Sequence, residues 1–209
     1  KKWEYIMPGL VHSSPAYSEK YSIIVCGCND FSVYGLEAKT GKLIWKFDTE
    51  GEVKASFAFD DKLGLLAFGS FDKSIYVLET RTGKLKFKIE SNGGIYSNPL
   101  IEDGLLYVSS LDKFLYCVDL SNGKIIWQFG TRGRIFSSPE FVEGKIYIGS
   151  NDGILYELDA ITGKNTGLIN VTERITNKIT YNPKTKRFFL PTFANEIYCL
   201  EKIPKQVVL

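Results

Sequence analysis

The stretch EAKTGKLIWKF occupies residues 37–47, and the chain writes it three more times with small changes: ETRTGKLKFKI from Glu79, DLSNGKIIWQF from Asp119 and DAITGKNTGLI from Asp159. Set in register, the glycines of the TG or NG step are Gly41, Gly83, Gly123 and Gly163. A tyrosine precedes each by the same interval, giving Tyr34, Tyr76, Tyr116 and Tyr156, and a fifth follows at Tyr198. Just after the glycines come Trp45, Phe87 and Trp127, and then Gly167, where the pattern lapses. Upstream, SSP at Ser13, SNP at Ser97 and SSP at Ser137 open three of the units, with ASF and NKI in the same place in the other two. A unit repeated at a period of roughly 40 residues implies stacked supersecondary elements, because one such unit cannot bury its apolar surface alone.

Each unit reads as short strands. IIVCGC, LLAFGS, LLYVSS and KIYIGS are apolar runs ending in small residues, and SVYGLE, SIYVLE, FLYCVD and ILYELD alternate with period two. Between those runs lie ND, FDK, LDK and NDG, which are tight-hairpin compositions. The glycine of the TGK or NGK step supplies the positive φ that the next hairpin needs. No long window shows helical periodicity. The expected unit is a four-stranded antiparallel meander, A to D, and the expected architecture is an all-β propeller whose blades pack face to face. Trp3, Trp45, Phe87 and Trp127 on strand D, with Tyr34, Tyr76, Tyr116, Tyr156 and Tyr198 on strand C, are the expected inter-blade aromatics. Burial of one large ring contributes about 1.5–3 kcal/mol, so one recurring gap explains one recurring residue.

ILYELDAITGK and SVYGLEAKTGKLIW resemble the repeat of the quinoprotein-type, or PQQ-like, β-propellers, whose strand C–D hairpin carries a Y-x-L-D-A-x-T-G-K-x-x-W signature. The resemblance recurs in four units and covers essentially the whole chain. It implies the fold more than the activity, because this propeller type hosts dehydrogenases, outer-membrane assembly scaffolds and sensor domains.

The blades are expected at about 12–49, 53–91, 95–131, 135–171 and 175–201, the last completed by residues 1–6. KKWEY places Trp3 in the same register before Ser14 as Trp45 before Ser56 and Trp127 before Ser138. It therefore reads as a strand D without its own A to C, able to close a five-bladed ring as a velcro strand and cover an open edge. The alternative is that KIPKQVVL supplies the fourth strand of the last blade itself.

Composition bounds the function. The 209 residues are 44% apolar and 24% charged, with 26 basic and 24 acidic side chains and a net charge of +2. A nucleic-acid binder needs a clustered basic surplus, and no apolar run reaches the length of a membrane span. Cys26, Cys28, Cys117 and Cys199 have neither metal-site nor redox spacing, and read as free thiols that lean toward a reducing, cytoplasmic compartment. The compartment is otherwise open, since the chain does not start with Met.

In a propeller the D–A and B–C loops share one face. On it fall His12, Lys54, Tyr96 and Phe136 at the starts of the A strands, and Arg132, Arg134 and Arg174 in D–A loops. These are the candidate ligand-binding residues, a basic sector flanked by aromatics suited to a small anion, a peptide carboxylate or a protein partner. Asp30, Asp72, Asp112 and Asp152 recur in the B–C hairpins, with Asn195 near the same place, and read as turn chemistry. No catalytic or phosphate-binding motif is present, so no catalytic or metal residue is assigned. The expected function is a non-catalytic binding or scaffolding module, alone or as part of a longer protein. The alternative implied by the resemblance is an oxidoreductase using PQQ with calcium, or a small-ligand or sugar-binding enzyme fragment. Such a site needs clustered oxygen ligands and is often covered by a vicinal disulfide, whereas Gly27 separates Cys26 from Cys28.

Overall fold

The computed structural model describes residues 1–201. Nineteen strands and no helix occur among them, so no helix is long and apolar enough to cross a membrane. Blade 1 comprises β1 (Ala16–Ser18), β2 (Ile23–Cys28), β3 (Ser32–Glu37) and β4 (Leu43–Asp48); blade 2 comprises β5 (Ala58–Asp60), β6 (Leu65–Gly69), β7 (Ser74–Glu79) and β8 (Leu85–Glu90). Blade 3 is built from β9 (Leu100–Glu102), β10 (Leu105–Ser109), β11 (Phe114–Asp119) and β12 (Lys124–Gly130), and blade 4 from β13 (Glu140–Val142), β14 (Lys145–Gly149), β15 (Ile154–Asp159) and β16 (Asn165–Asn170). Blade 5 has β17 (Thr180–Asn182), β18 (Arg187–Pro191) and β19 (Ile197–Leu200). Every sheet is an antiparallel meander in sequence order: four of four strands, and the fifth of three among the described residues.

The middle strands B and C are buried on both faces, which is why they read as near-continuous apolar runs, while strand D is largely exposed on one side. The core lies between sheets rather than within any one of them. Val25, Val33, Leu66 and Leu78 form one layer between blades 1 and 2, and Ala67, Val77, Leu106 and Val118 form the next. Cys117, Ile146 and Leu158 sit between blades 3 and 4, and Leu155, Ile175, Phe188 and Leu190 between blades 4 and 5. The small residues ending strand B have a steric reason. A Cβ on Gly69 would lie 2.0 Å from Ile95, and one on Gly149 2.2 Å from Ile175.

The repeated aromatic is a dock between blades. The indole N–H of Trp45 donates to Thr80 C=O at 3.0 Å, and that of Trp127 to Ala160 C=O at 3.1 Å. Beneath the rings lie Gly83 and Gly163, where a Cβ would stand 2.6 and 2.5 Å from ring carbons. The turn glycine therefore satisfies two demands: a φ of +68° at both positions and the closeness of the ring. Each C–D pair carries a register shift that leaves Ile44, Lys86, Ile126 or Thr166 unpaired, next to the docking position. Such a bulge adds twist to the outer strand and re-aims the following side chain.

Trp3 behaves as the missing outer-strand residue ahead of blade 1. Its indole N–H donates to Ala38 C=O at 2.9 Å, Gly41 lies under its ring, and Tyr5 packs on Tyr34 as Phe47 packs on Tyr76. The register read from KKWEY is thus present. The hydrogen-bonded seam with the last blade is not: among the described residues β19 pairs with β18 alone and residues 1–7 form no strand. Side-chain docking on blade 1 needs no strand partner, so the two halves of that expectation separate. The alternative fourth strand from the tail lies outside the described residues.

Candidate functional site

The hairpin aspartates hold the loop face together. Asp72 Oδ1 accepts the Ser74 N–H (2.9 Å), while its Oδ2 accepts the Tyr76 hydroxyl (2.7 Å) and the Glu50 N–H of the incoming D–A loop (3.0 Å). Asp112 does the same for Phe114, Tyr116 and Asn92, and Asp152 for Ile154, Tyr156 and Arg132. Asp30 accepts from Ser32 and, at 2.5 Å, from Tyr34. One carboxylate therefore ties its own turn, its strand C tyrosine and the preceding blade's loop. Burial first, and the aspartate bond second, push the phenols of Tyr76, Tyr116 and Tyr156 well above their ordinary range. In blade 5, Ala194 stands in the aspartate's place, and Glu196 takes the Tyr198 hydroxyl instead at 3.0 Å. Asn195, the residue expected there, is the positive-φ turn residue.

A second hydrogen-bonded layer lines the axis. Ser13, Ser97 and Ser137 hydroxyls each donate to a carbonyl at the end of their own strand B. The next residues link the blades: Ser56 N–H donates to Asn98 Oδ1 (2.8 Å), Ser56 hydroxyl to Ser14 C=O (3.1 Å) and Asn98 N–H to the Ser138 hydroxyl (2.9 Å). The SSP and SNP triplets are therefore axial couplers.

On this scaffold the loop face presents a ladder of side chains across blades 2 to 4. Lys54 Nζ lies 4.8 Å from the Phe71 ring centre and 2.5 Å from Glu52. Phe71 meets Tyr96 edge-on at 6.1 Å, and Tyr96 meets Phe136 edge-on at 5.7 Å. Edge-to-face rings stiffen a surface at little entropic cost, and Tyr96 is 48% exposed. Arg134 stands two residues before Phe136, and it and Arg132 are exposed and form no ion pair among the described residues. Arg174 lies 3.9 Å over the Phe193 ring, which is 58% exposed, on blade 5. Of the residues read from sequence, Lys54, Tyr96 and Phe136 are joined through Phe71; Arg134 stands two residues before Phe136, Arg132 is held through its N–H by Asp152, and Arg174 lies over Phe193 on blade 5; His12 is exposed at the start of blade 1, with no ion pair or ring contact to the ladder. Phe71 was missed. It sits in a turn, and only blade stacking brings that turn against Tyr96.

A quinone–calcium centre needs several carboxylate and amide oxygens converging on one ion. Here the B–C hairpin carboxylates stand one in each of blades 1 to 4, each accepting a tyrosine hydroxyl, and among the described residues no three His, Cys, Asp or Glu side chains are placed to hold a metal. The donor set does not fit that group. Cys26, Cys28 and Cys117 are buried, and Cys199 is exposed on β19. Burial raises the Cys26 and Cys28 thiols and pushes Cys117 up to about 12, so these three stay protonated near neutrality and pack as small core groups.

The family model described as "Outer membrane protein assembly factor BamB" matches residues 29–200. The crystal structure of BamB from Moraxella catarrhalis superimposes with a TM-score of 0.84 at 17% identity, covering 98% of this chain and 62% of that one. The chain thus spans less than two thirds of that protein's length, and at this identity the likeness is one of fold. Among curated proteins none matches the sequence.

Proposed function

The chain belongs to the family described as outer membrane protein assembly factor BamB, and from that premise we propose that it is a non-catalytic propeller whose loop face binds a protein partner. The observation that carries this reading is the ladder Phe71–Tyr96–Phe136, with the exposed Arg132 and Arg134 in the loop leading to Phe136 and in no ion pair among the described residues. Exposed aromatic and arginine side chains on a rigid support are the commonest anchors of protein interfaces. A hairpin pinned three ways by its aspartate keeps those anchors in place before the partner arrives, which lowers the ordering cost of binding. The family's description as an assembly factor agrees with a scaffold that acts by contact.

Site-specific photocrosslinking tests the assignment. A crosslinker at Tyr96 is expected to form protein adducts in cells, and those adducts are expected to fade when Arg132 and Arg134 are both changed to Ala. A crosslinker at Ile126, 49% exposed on the outer strand of blade 3, is the control. Adducts from Ile126 but none from Tyr96 remove the loop face from the proposal. Incubation with PQQ and calcium checks the non-catalytic part, which a stoichiometric bound chromophore overturns.

A further inference from the structure

Blade 4 lacks one side chain that blades 1 to 3 all use. At the end of strand D in blade 1, Thr49 Oγ1 bridges the carbonyls of Phe31 (2.8 Å) and Gly51 (2.7 Å). Ser91 Oγ bridges Lys73 and Gly93, both at 2.8 Å, and Thr131 Oγ1 bridges Lys113 (3.1 Å) and Gly133 (2.7 Å). The next member of the series is Val171, which has no donor. Opposite it stands Gly153, where the other hairpins carry Phe31, Lys73 and Lys113; all four have positive φ, from 67° to 80°. The backbone path is unchanged, because Val171 N–H still donates to Gly153 C=O at 2.8 Å, as Thr131 N–H does to Lys113 C=O at 2.9 Å.

With the bridging hydroxyl replaced by a methyl at Val171 and no side chain at Gly153, the 151–153 hairpin and the 171–174 loop line a polar recess of about 330 Å³. Two carbonyls converge in it: the point where a side chain at 153 would begin lies 3.2 Å from Val171 C=O and 3.6 Å from Glu173 C=O. Glu173 C=O, which corresponds to the bridged carbonyls of Gly51, Gly93 and Gly133, accepts no hydrogen bond among the described residues. Asn151 Oδ1, on a residue of the same lining, is a buried acceptor without a donor among the described residues, as Asn29 Oδ1 is in blade 1. Of the two carboxylates in the lining, Asp152 already accepts three donors and Glu173 lies 3.9 Å from the Arg174 guanidinium, which also stacks over Phe193, so two acids face one base. Acceptors in excess of donors, with a net negative wall, suit a cationic N–H donor.

We propose that this recess binds a primary ammonium group, and that in a complex the group is a lysine side chain of the partner. Blades 2 and 3 root their own lysines, Lys73 and Lys113, at the position that Gly153 leaves bare. The recess chemistry stands by itself; that a protein supplies the lysine rests on the loop-face reading above.

The test is an amide NMR titration of the full chain with n-butylammonium chloride at constant ionic strength, with n-butanol as the neutral control. Shifts confined to Gly153, Thr172 and Glu173 are expected with the ammonium and not with the alcohol. Val171→Thr restores the bridging hydroxyl and Gly153→Lys supplies an ammonium in cis, so each is expected to weaken binding about tenfold or more, the loss of one charge-assisted bond. Both place in blade 4 what neighbouring blades already carry, and the amide spectrum verifies folding. Absence of localised shifts, equal shifts with butanol, or undiminished binding by Val171→Thr overturns the proposal. Because no partner takes part, failure here is distinct from failure of the Tyr96 crosslinks.

Discussion

The junction between blades 3 and 4 and the junction between blades 4 and 5 share their core and a backbone bond, Asn151 N–H to Arg134 C=O in one and Phe193 N–H to Arg174 C=O in the other, but differ in their side-chain fittings. At the first, Trp127 docks over Gly163 and bonds Ala160, Asp152 joins Tyr156 to the Arg132 N–H, and Thr131 bridges two carbonyls. At the second, Gly167, Ala194 and Val171 occupy the three corresponding positions, and Glu173 stands where Gly133 meets the Asp152 backbone. Glu196 supplies a substitute carboxylate, taking both the Tyr198 and Thr172 hydroxyls. The apolar layer persists all the same: Ile175 presses on Gly149, and Tyr147 packs on Phe188 with ring centres 4.5 Å apart. Close packing between sheets thus carries the fold, and the hydrogen-bonded fittings are separable from it. Where they lapse, the surface gains room for chemistry.

That contrast can be broken at several points, and the largest effect is expected from pH. The phenols of Tyr76, Tyr116 and Tyr156 are raised by burial and by their aspartates. A raised phenol binds its proton more tightly folded than unfolded, so its contribution is intact below about pH 10 and is lost as pH rises beyond it. Urea midpoints measured from pH 7 to 12 are expected to stay level and then fall, together with phenolate absorbance. A phenolate signal that develops while the midpoint holds sinks the network account. Next comes the dock. Trp127→Ala is expected to cost about 3 kcal/mol, the low end for a large aromatic because the ring is only partly buried. Gly163→Ala meets the same ring from below and adds a left-handed backbone penalty, together about 2 kcal/mol. Asp152→Ala leaves a phenol and two amides without their acceptor and is expected to cost about 1–3 kcal/mol. The smallest change runs the other way: Val171→Thr gives junction 4–5 the bridge of its neighbours and is expected to stabilise by about 0.5–1.5 kcal/mol. Denaturant titrations with unchanged slopes check all four.

Much of the fold was legible because a repeated gap selects a repeated residue. Trp45, Trp127, Gly83 and Gly163 announce the dock, and the two-residue alternation of SIYVLE and FLYCVD announces strand C. The site was legible only in part. Tyr96 and Phe136 stand out in repeat register, yet Phe71, which links them to Lys54, belongs to a turn more than twenty residues from Tyr96. The aspartates read correctly as turn residues, but their reach to Glu50, Asn92 and Arg132 crosses from one blade to the next. Thr49, Ser91 and Thr131 carry no mark in the repeat pattern, because the two carbonyls that each one bridges lie in separate loops.

By itself the sequence determined the strands, their order, the period of the blades and the aromatic that wedges each pair, because these follow from side-chain alternation, glycine conformation and repeated volume along one chain. Stacking alone sets which loops meet which hairpins, that Trp3 docks on blade 1 while among the described residues β19 pairs with β18 alone, and that a recess lies between the 151–153 hairpin and the 171–174 loop. Those outcomes depend on how separate sheets stack, and no local pattern encodes the distance between two residues that only stacking brings together.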